Sequence, residues 1–558
     1  METLQIVITL IIFLLLIIPM GKYLFKVISM EKSFVDPVFD KIDNFIYKII
    51  GVTKEEMTWK QYAVTLIVTN LIMGLAAYII LRIQAVNIFN PNKAQGMGPA
   101  LSFNTAISFI TNTDLQNYAG ESALSYFSQM IVITFLMFTS AATGFSAAAA
   151  FIRALAGEKK TVGNYFVDLT RIITRVLLPL SMIIAILFVA QGVPQTLSHT
   201  KTVTTIEGTL QDIGMGPIAS LEAIKHIGTN GGGFFSANSA HPFENPTPIT
   251  NLIEILSMML IPSSLVYAFG KMIKNKKQGW VIFGAMFVLF LVILPVCYMA
   301  EKSGNPVLSH LGLSQAMGNM EGKEVRFGIA QSSLFTTVTT AFTTGSVNNM
   351  HDSLTPLGGF TALWNMMLNV VFGGKGVGLM NMMMYAIITV FISGLMVGRT
   401  PEFLGKKIEA KEIKLIALAI LLHPILILVP SAIALNIHSG VSSISNAGYH
   451  GLSQVVYQYT TAAANNGSAF AGLATNTPFW NITTGIVMLL GRYLSMIILL
   501  AVAGSLAAKN PVPESVGTFR TDNAQFTVIL IFIVLIIGAL TFLPTLVLGP
   551  IAEQLTLH

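Results

Sequence analysis

Ten stretches of the chain are each apolar over about the 20 residues that a helix needs to cross a bilayer. They run roughly from 3 to 25, 59 to 82, 123 to 152, 172 to 191, 249 to 273, 279 to 300, 361 to 398, 413 to 435, 483 to 508 and 524 to 547. Lipid offers no hydrogen bonds, so only helices or closed barrels satisfy their own peptide groups there. The composition agrees: 10% of the 558 residues are charged, where a soluble globular domain carries about 25%. The expected fold class is an all-α polytopic membrane protein with ten transmembrane helices. The first block, Leu4 to Leu24, has no basic residue before it and no small-residue cleavage site after it, and is read as a helix and not a signal peptide. The single cysteine, Cys297, lies inside the sixth block, which leaves neither a disulfide framework nor a thiolate cluster.

Of the 32 Lys and Arg, 23 lie in or beside the connections after blocks 1, 3, 5, 7 and 9, and 7 beside those after the even-numbered blocks; Lys375 and Arg492 lie inside blocks. Positive residues near helix ends are retained in the cytoplasm, so both termini are expected outside the cell. The formal charge of +6 is dispersed among the connections and forms no basic face, which argues against nucleic acid.

Four external connections are long, and each holds a short apolar stretch followed by an abrupt polar cluster: "FNTAISFITNTDLQN", "LEAIKHIGTNGGGFF", "LFTTVTTAFTTGSVNN" and "YQYTTAAANNGSAFAG". The stretches are too short to cross. Their polar cores align as Thr111-Asn112-Thr113, Thr229-Asn230-Gly231, Thr343-Thr344-Gly345 and Asn465-Asn466-Gly467, with third residues 118, 114 and 122 positions apart. Such a period marks a repeated unit of span, short helix, polar loop and span. The units occupy 59–153, 164–273, 279–398 and 413–508, with 1–58 (a helix and a cytoplasmic loop) and the helix 524–547 outside them. These membrane-pore-membrane pseudo-repeats are expected to surround one axis.

Non-helical backbone at membrane depth is tolerated only where protein or a water-filled cavity satisfies it. Four loops around an axis do so together, and their converging oxygens replace the hydration shell of a monovalent cation. The short helices would aim their partially negative C-terminal ends at the same place. Ca²⁺ and Mg²⁺ sites usually include carboxylates, and only Asp114 puts one at a loop core, where it either raises cation occupancy or braces its own loop. The triple glycine with Gly231 and Gly232 lacks the GK[ST] ending of a phosphate-binding loop, and "GGKGVG" has no Ser or Thr after its lysine. Any ATP is therefore handled by another chain.

The segments "TNTDLQNYAGES", "GTNGGGFFSANSAHPFENPT", "TTGSVNNMHDSLTPLGG" and "NNGSAFAGL" closely resemble the potassium-binding subunit family of bacterial Kdp-type potassium-transporting ATPases, over essentially the whole chain. The resemblance implies a filter like that of potassium channels and a bacterial cell membrane location. It also implies a complex with three other chains: a P-type ATPase, a single-span subunit and a further small subunit. In such a complex K⁺ is the bound substrate ion and the P-type ATPase chain hydrolyses ATP. K⁺ would pass the filter and enter an intramembrane tunnel leading sideways into that ATPase, with Gln116 near the filter's inner end and the tunnel entrance. Asp114 stands where the family is expected to carry Asn. A stand-alone potassium channel or ion-coupled transporter is the rival reading. A membrane enzyme is disfavoured, because the cores hold no paired acid and base or activated nucleophile.

Block 7 is interrupted by "FGGKGVG", Phe372 to Gly378. Each glycine costs about 1 kcal/mol relative to alanine in a helix, so Gly373, Gly374 and Gly376 predict a break that places Lys375 beneath the filter as a gate. Arg492 is the second intramembrane cation, and burial of such a group makes it a functional candidate; for both, the alternative is a pairing that holds helices together. Glu244, His241, His351 and Asp352 lie in external loops without zinc-like spacing and are expected to brace the vestibule.

Overall fold

A computed structural model describes every residue except 1, 34, 87, 158–159, 199, 399, 511, 513–518 and 558. Among the described residues ten helices are long and apolar enough to cross a membrane: Glu2–Ile28, Trp59–Val86, Ser128–Ala156, Tyr165–Ala190, Pro248–Met272, Lys276–His310, Val377–Met396, Ala410–Leu435, Pro478–Ala507 and Ala524–Thr556. They are numbered here as spans 1 to 10. Among the described residues strand is confined to three two-stranded antiparallel ribbons in the connections, one of them Lys201–Thr204 paired with Leu210–Ile213.

Start signals explain where several spans begin earlier than the apolar blocks. The Asn164 side chain accepts from the N–H groups of Phe166 and Val167, so span 4 starts at Tyr165. Pro248 and Pro478 each follow a threonine whose hydroxyl accepts a backbone N–H of the first turn, the arrangement preferred at a helix N-terminus. On the side where span 4 begins, its fully buried Arg175 is ion-paired to Asp36, Asp40 and Asp43. It holds the helix Asp36–Ile50 against the bundle.

Four short helices, Pro99–Ile110, Ile218–Ile227, Gly328–Ala341 and Tyr449–Ala464, stand between spans 2 and 3, 4 and 5, 6 and 7, and 8 and 9. Their burial is nearly complete, polar residues included: Thr336, Thr337, Thr339 and Thr340 are all fully buried. These are re-entrant elements enclosed by protein and not surface helices. Span 1 packs along span 5, with Gly21 against Tyr267, outside the four units.

The expected seventh block, 361 to 398, is two helices. Pro356–Leu368 ends at Asn369, a left-handed residue, and Val377–Val397 begins after Gly376. Between them Phe372, Gly373, Gly374 and Gly376 all have positive φ, which glycine accepts without the steric cost other residues carry.

Candidate functional site

Each short helix ends at a residue with left-handed backbone: Asn112 (φ 57°), Thr229 (34°), Thr343 (50°) and Asn465 (54°). The next residue donates its N–H to the carbonyl five positions back: Thr113 to Ser108 (3.0 Å), Asn230 to Lys225 (2.8 Å), Thr344 to Thr339 (2.9 Å) and Asn466 to Thr461 (2.9 Å). This is the bonding of a helix reversed by a left-handed residue. Asparagine enters that region readily, whereas β-branched Thr229 and Thr343 do so only under local constraint.

These two features set the structural register of the loops, and it differs by one residue from the sequence alignment in the first unit. Thr113 corresponds to Asn230, Thr344 and Asn466; Asp114, not Thr113, stands opposite Gly231, Gly345 and Gly467. Likeness of Thr-Asn-Thr to Thr-Asn-Gly suggested the other register, but the backbone counts from the helix end. Asp114 has φ 53°, beside 84° and 106° at Gly345 and Gly467. It is a side chain at a position that favours glycine.

The four loops meet. A Cβ placed on Gly231 would lie 3.1 Å from the Thr113 carbonyl oxygen, 3.1 Å from that of Thr344 and 3.3 Å from that of Asn466. Those three oxygens are structurally equivalent and come from the other three units. Neighbouring loops also touch: a Cβ on Gly345 would fall 2.0 Å from the Asn466 oxygen, and one on Gly467 1.9 Å from the Thr113 oxygen. The missing side chains therefore have two different consequences, an open centre at Gly231 and close walls at Gly345 and Gly467.

Side chains clasp the loops in a closed ring. Asn112 Nδ2 donates to the Thr229 carbonyl (2.7 Å), and Asn230 Nδ2 to Asn112 Oδ1 (3.0 Å). Asn465 Nδ2 donates to Thr113 Oγ1 (2.9 Å), Asn466 Nδ2 to the Thr339 carbonyl (2.9 Å), and His226 Nε2 lies 2.9 Å from Ser346 Oγ. Thr111 is fully buried and shares a 2.8 Å hydroxyl contact with Thr113. Asp114 Oδ2 accepts the Gly231 N–H (3.2 Å), while its fully buried Oδ1 has no hydrogen-bond partner.

On the membrane-interior side of the ring a pocket is lined by Asn112, Thr343 and Asn465, by Asn369, Gly373, Gly374 and Lys375 of the broken segment, and by Arg492. It continues between span 8 at His423 and Leu426 and span 10 at Ile537 and Thr541. The break lies directly under the loops: Gly373 N–H bonds the Ala341 carbonyl (3.0 Å) and Lys375 N–H the Thr229 hydroxyl (3.3 Å). The Lys375 ammonium is buried with no hydrogen-bond partner. Gly144 of span 3 makes room for the Arg492 guanidinium, with which a Cβ there would collide, and for the Lys375 backbone, whose carbonyl oxygen it would approach to 3.1 Å.

Gln116 is not among the pocket residues. Two residues past Asp114, it grips the second loop on the ring's other side, accepting the Gly233 N–H (2.9 Å) and donating to the Gly233 carbonyl (3.1 Å). A Cβ on Gly232 would touch the Gln116 carboxamide at 2.9 Å. The loop leaves the pocket as it runs from Asn112 onward, which places Gln116 away from the inner end where it was expected.

The four external candidates do not share one site. Glu244 binds Lys225 (2.9 Å) and the Phe235 N–H (2.7 Å); His241 stacks on Phe235. His351 bonds the Tyr457 hydroxyl (2.8 Å), and Asp352 pairs with His450 (3.2 Å). Sequence reading missed the fully buried cluster of Glu222, Lys225, His226 and Glu254 behind the second loop. Its signal was three ionisable residues within one turn of a re-entrant helix.

The family described as Potassium-transporting ATPase A subunit matches residues 7–555. The chain belongs to that family. It is 65% identical over 558 residues, all of both chains, to the potassium-transporting ATPase potassium-binding subunit of Clostridium acetobutylicum. It is 60% identical over 551 residues, 98% of both chains, to the same-named protein of Geobacillus kaustophilus. The solved structure of the potassium transporter TrkH from Vibrio parahaemolyticus is similar with a TM-score of 0.53 at 14% identity, covering 88% of this chain and 97% of that one. At that identity the likeness speaks to the fold.

Proposed function

We propose that the chain is the K⁺-binding and translocating subunit of an ATP-driven uptake complex in the bacterial cell membrane, with both termini outside. The observation that carries this reading is the meeting of the Thr113, Thr344 and Asn466 carbonyl oxygens about the open centre at Gly231. Uncharged oxygens from four units substitute for the water around a monovalent cation. The left-handed helix ends aim them, and the clasps between neighbouring loops hold them while the ion passes.

An ion leaving the ring enters the pocket over Lys375. The buried ammonium repels a second cation in a medium where charges are weakly screened, which disfavours passage straight through the membrane. The pocket's extension between spans 8 and 10 is then the sideways route, toward a partner P-type ATPase that hydrolyses ATP; a single-span subunit and a further small subunit complete the assembly. The homologues' names and the lateral shape of the pocket support this reading.

The test is a density map of the purified complex in K⁺. Spherical density centred among the carbonyls of Thr113, Asn230, Thr344 and Asn466 is expected. A map with well-ordered loops and no density there overturns the filter. Reconstitution of this chain by itself gives no K⁺ flux if the partner is required, and rapid ATP-independent flux would show a channel instead.

A further inference from the structure

Behind the ring, the second short helix, the loop after it and span 5 bring three carboxylates and one ammonium into a space with no solvent exposure. Glu222, Glu244, Glu254, Lys225 and His226 are all 0% exposed. Lys225 Nζ lies 2.7 Å from Glu222 and 2.9 Å from Glu244, with Asn238 and Ser239 completing its hydrogen bonds at 2.8 and 3.0 Å. Glu244 is further satisfied by the Phe235 N–H. Glu222 has the Lys225 ammonium beside it, whereas neither oxygen of the fully buried Glu254 has a hydrogen-bond partner, and its nearest ionisable neighbour is His226. Buried carboxylates are normally paired, hydrogen-bonded or bound to a metal.

His226 faces this gap in a defined way. Its Nδ1 lies 2.9 Å from the Glu222 backbone carbonyl, which can only accept, so Nδ1 carries the proton. In the neutral ring Nε2 then presents its lone pair 3.2 Å from Glu254 Oε2, with Ser346 Oγ at 2.9 Å. Two lone pairs confronting each other call for a shared proton or a bound cation between them. A histidine that donates one ring N–H to a backbone carbonyl and offers the other nitrogen to an ion is the usual arrangement around bound metals.

One ligand atom each from Glu222, His226 and Glu254 lies within 4.8 Å of the others. Ligand bonds of about 2.1 Å in tetrahedral geometry put donors roughly 3.4 Å apart, so modest side-chain rotation closes the set. We propose that Glu222, His226 and Glu254 hold a divalent transition-metal ion of the Mn²⁺ or Zn²⁺ class. The mixed carboxylate and imidazole donors favour that class over K⁺, Mg²⁺ or Ca²⁺. Such an ion offsets the excess negative charge and fastens the second short helix to span 5. Through Ser346 it also steadies the third loop.

The assembled complex is stripped with a chelator, equilibrated with MnCl₂ or ZnCl₂, freed of loose ions by gel filtration and analysed for metal. Wild type is expected to retain one more ion per copy of this chain than Glu254→Gln, with Glu254→Asp in between. Equal retention by wild type and Glu254→Gln overturns the site and leaves protons as the neutralising charge. If Glu254→Gln does not assemble, anomalous scattering at the zinc edge from the zinc-loaded wild-type complex decides. A peak between the three side chains supports the site, and no peak there overturns it.

Discussion

The ring and the broken seventh span lie one above the other and are built on opposite plans. All four units supply the ring with the same parts: a re-entrant helix, a left-handed end residue, and an N–H bonded five residues back. Only the third unit supplies the break at 369–376. The corresponding spans 3, 5 and 9 remain helical throughout, span 3 with wide turns at Ser128–Thr134 and span 9 at Leu490–Leu494. Recognition of a spherical ion is served by near-equivalent oxygens, whereas an exit to one side requires that the equivalence be broken. Under the proposed function, the two needs fall in successive layers.

The sharpest way to break this contrast is within the ring. Gly231→Ala puts a methyl at an ordinary φ and at the open centre, where the oxygens need give only a few tenths of an ångström. The complex is expected to assemble and lose roughly 100-fold in K⁺ affinity, or about 2.7 kcal/mol, measured by K⁺-stimulated ATP hydrolysis. Gly467→Ala instead strikes the wall at 1.9 Å with φ 106°. It is expected to destabilise the assembly by about 3 kcal/mol or more, seen as a lower melting temperature. If the two variants behave alike, centre and wall are not distinct.

Next in size is the charge at Asp114. Asp114→Asn keeps the side chain's length and removes a carboxylate held against the second loop, and is expected to weaken K⁺ half-saturation roughly tenfold. An unchanged value would make Asp114 a brace alone. Lys375→Ala tests the lower layer. Half-saturation is expected to stay within about twofold of wild type while ions moved per ATP fall at least about twofold, measured as ⁸⁶Rb⁺ uptake against phosphate release. Matched losses in both would place Lys375 in the binding layer.

A last contrast is in stability and not in transport, where His450 joins Asp352 of the third unit to Glu553 of span 10. Burial lowers the imidazole's pKa, but the two carboxylates outweigh it and push it up to about 9. A raised folded value means the contribution is whole below the unfolded value near 6.5 and is lost as pH rises through about 9. His450→Gln is expected to cost about 1 to 2 kcal/mol near neutral pH. Melting curves of variant and wild type should converge above that pH.

The layers were not equally legible in the sequence. The spans, the four re-entrant segments and the interruption at Phe372 to Gly378 follow from apolar length and from glycine, both local properties. The register of the first loop did not, because Thr111, Asn112 and Thr113 imitate the residue types of Thr229, Asn230 and Gly231 one position out of step. Only the bond from Thr113 N–H to Ser108 fixes the count. Gln116 was misplaced for the same reason: its position depends on the direction in which the chain leaves the ring. The Glu254 carboxylate joins His226 across a turn of chain 28 residues long, and no periodicity announces such a meeting.

At Gly231 the proposed bore is bounded by a hydrogen atom. Every glycine codon is one base from an alanine codon, and the smallest change of side chain available to the gene there is already the size of the passage. A cell carrying it would assemble an intact protein with a weakened grip, and would starve for its ion only when the surrounding medium ran poor.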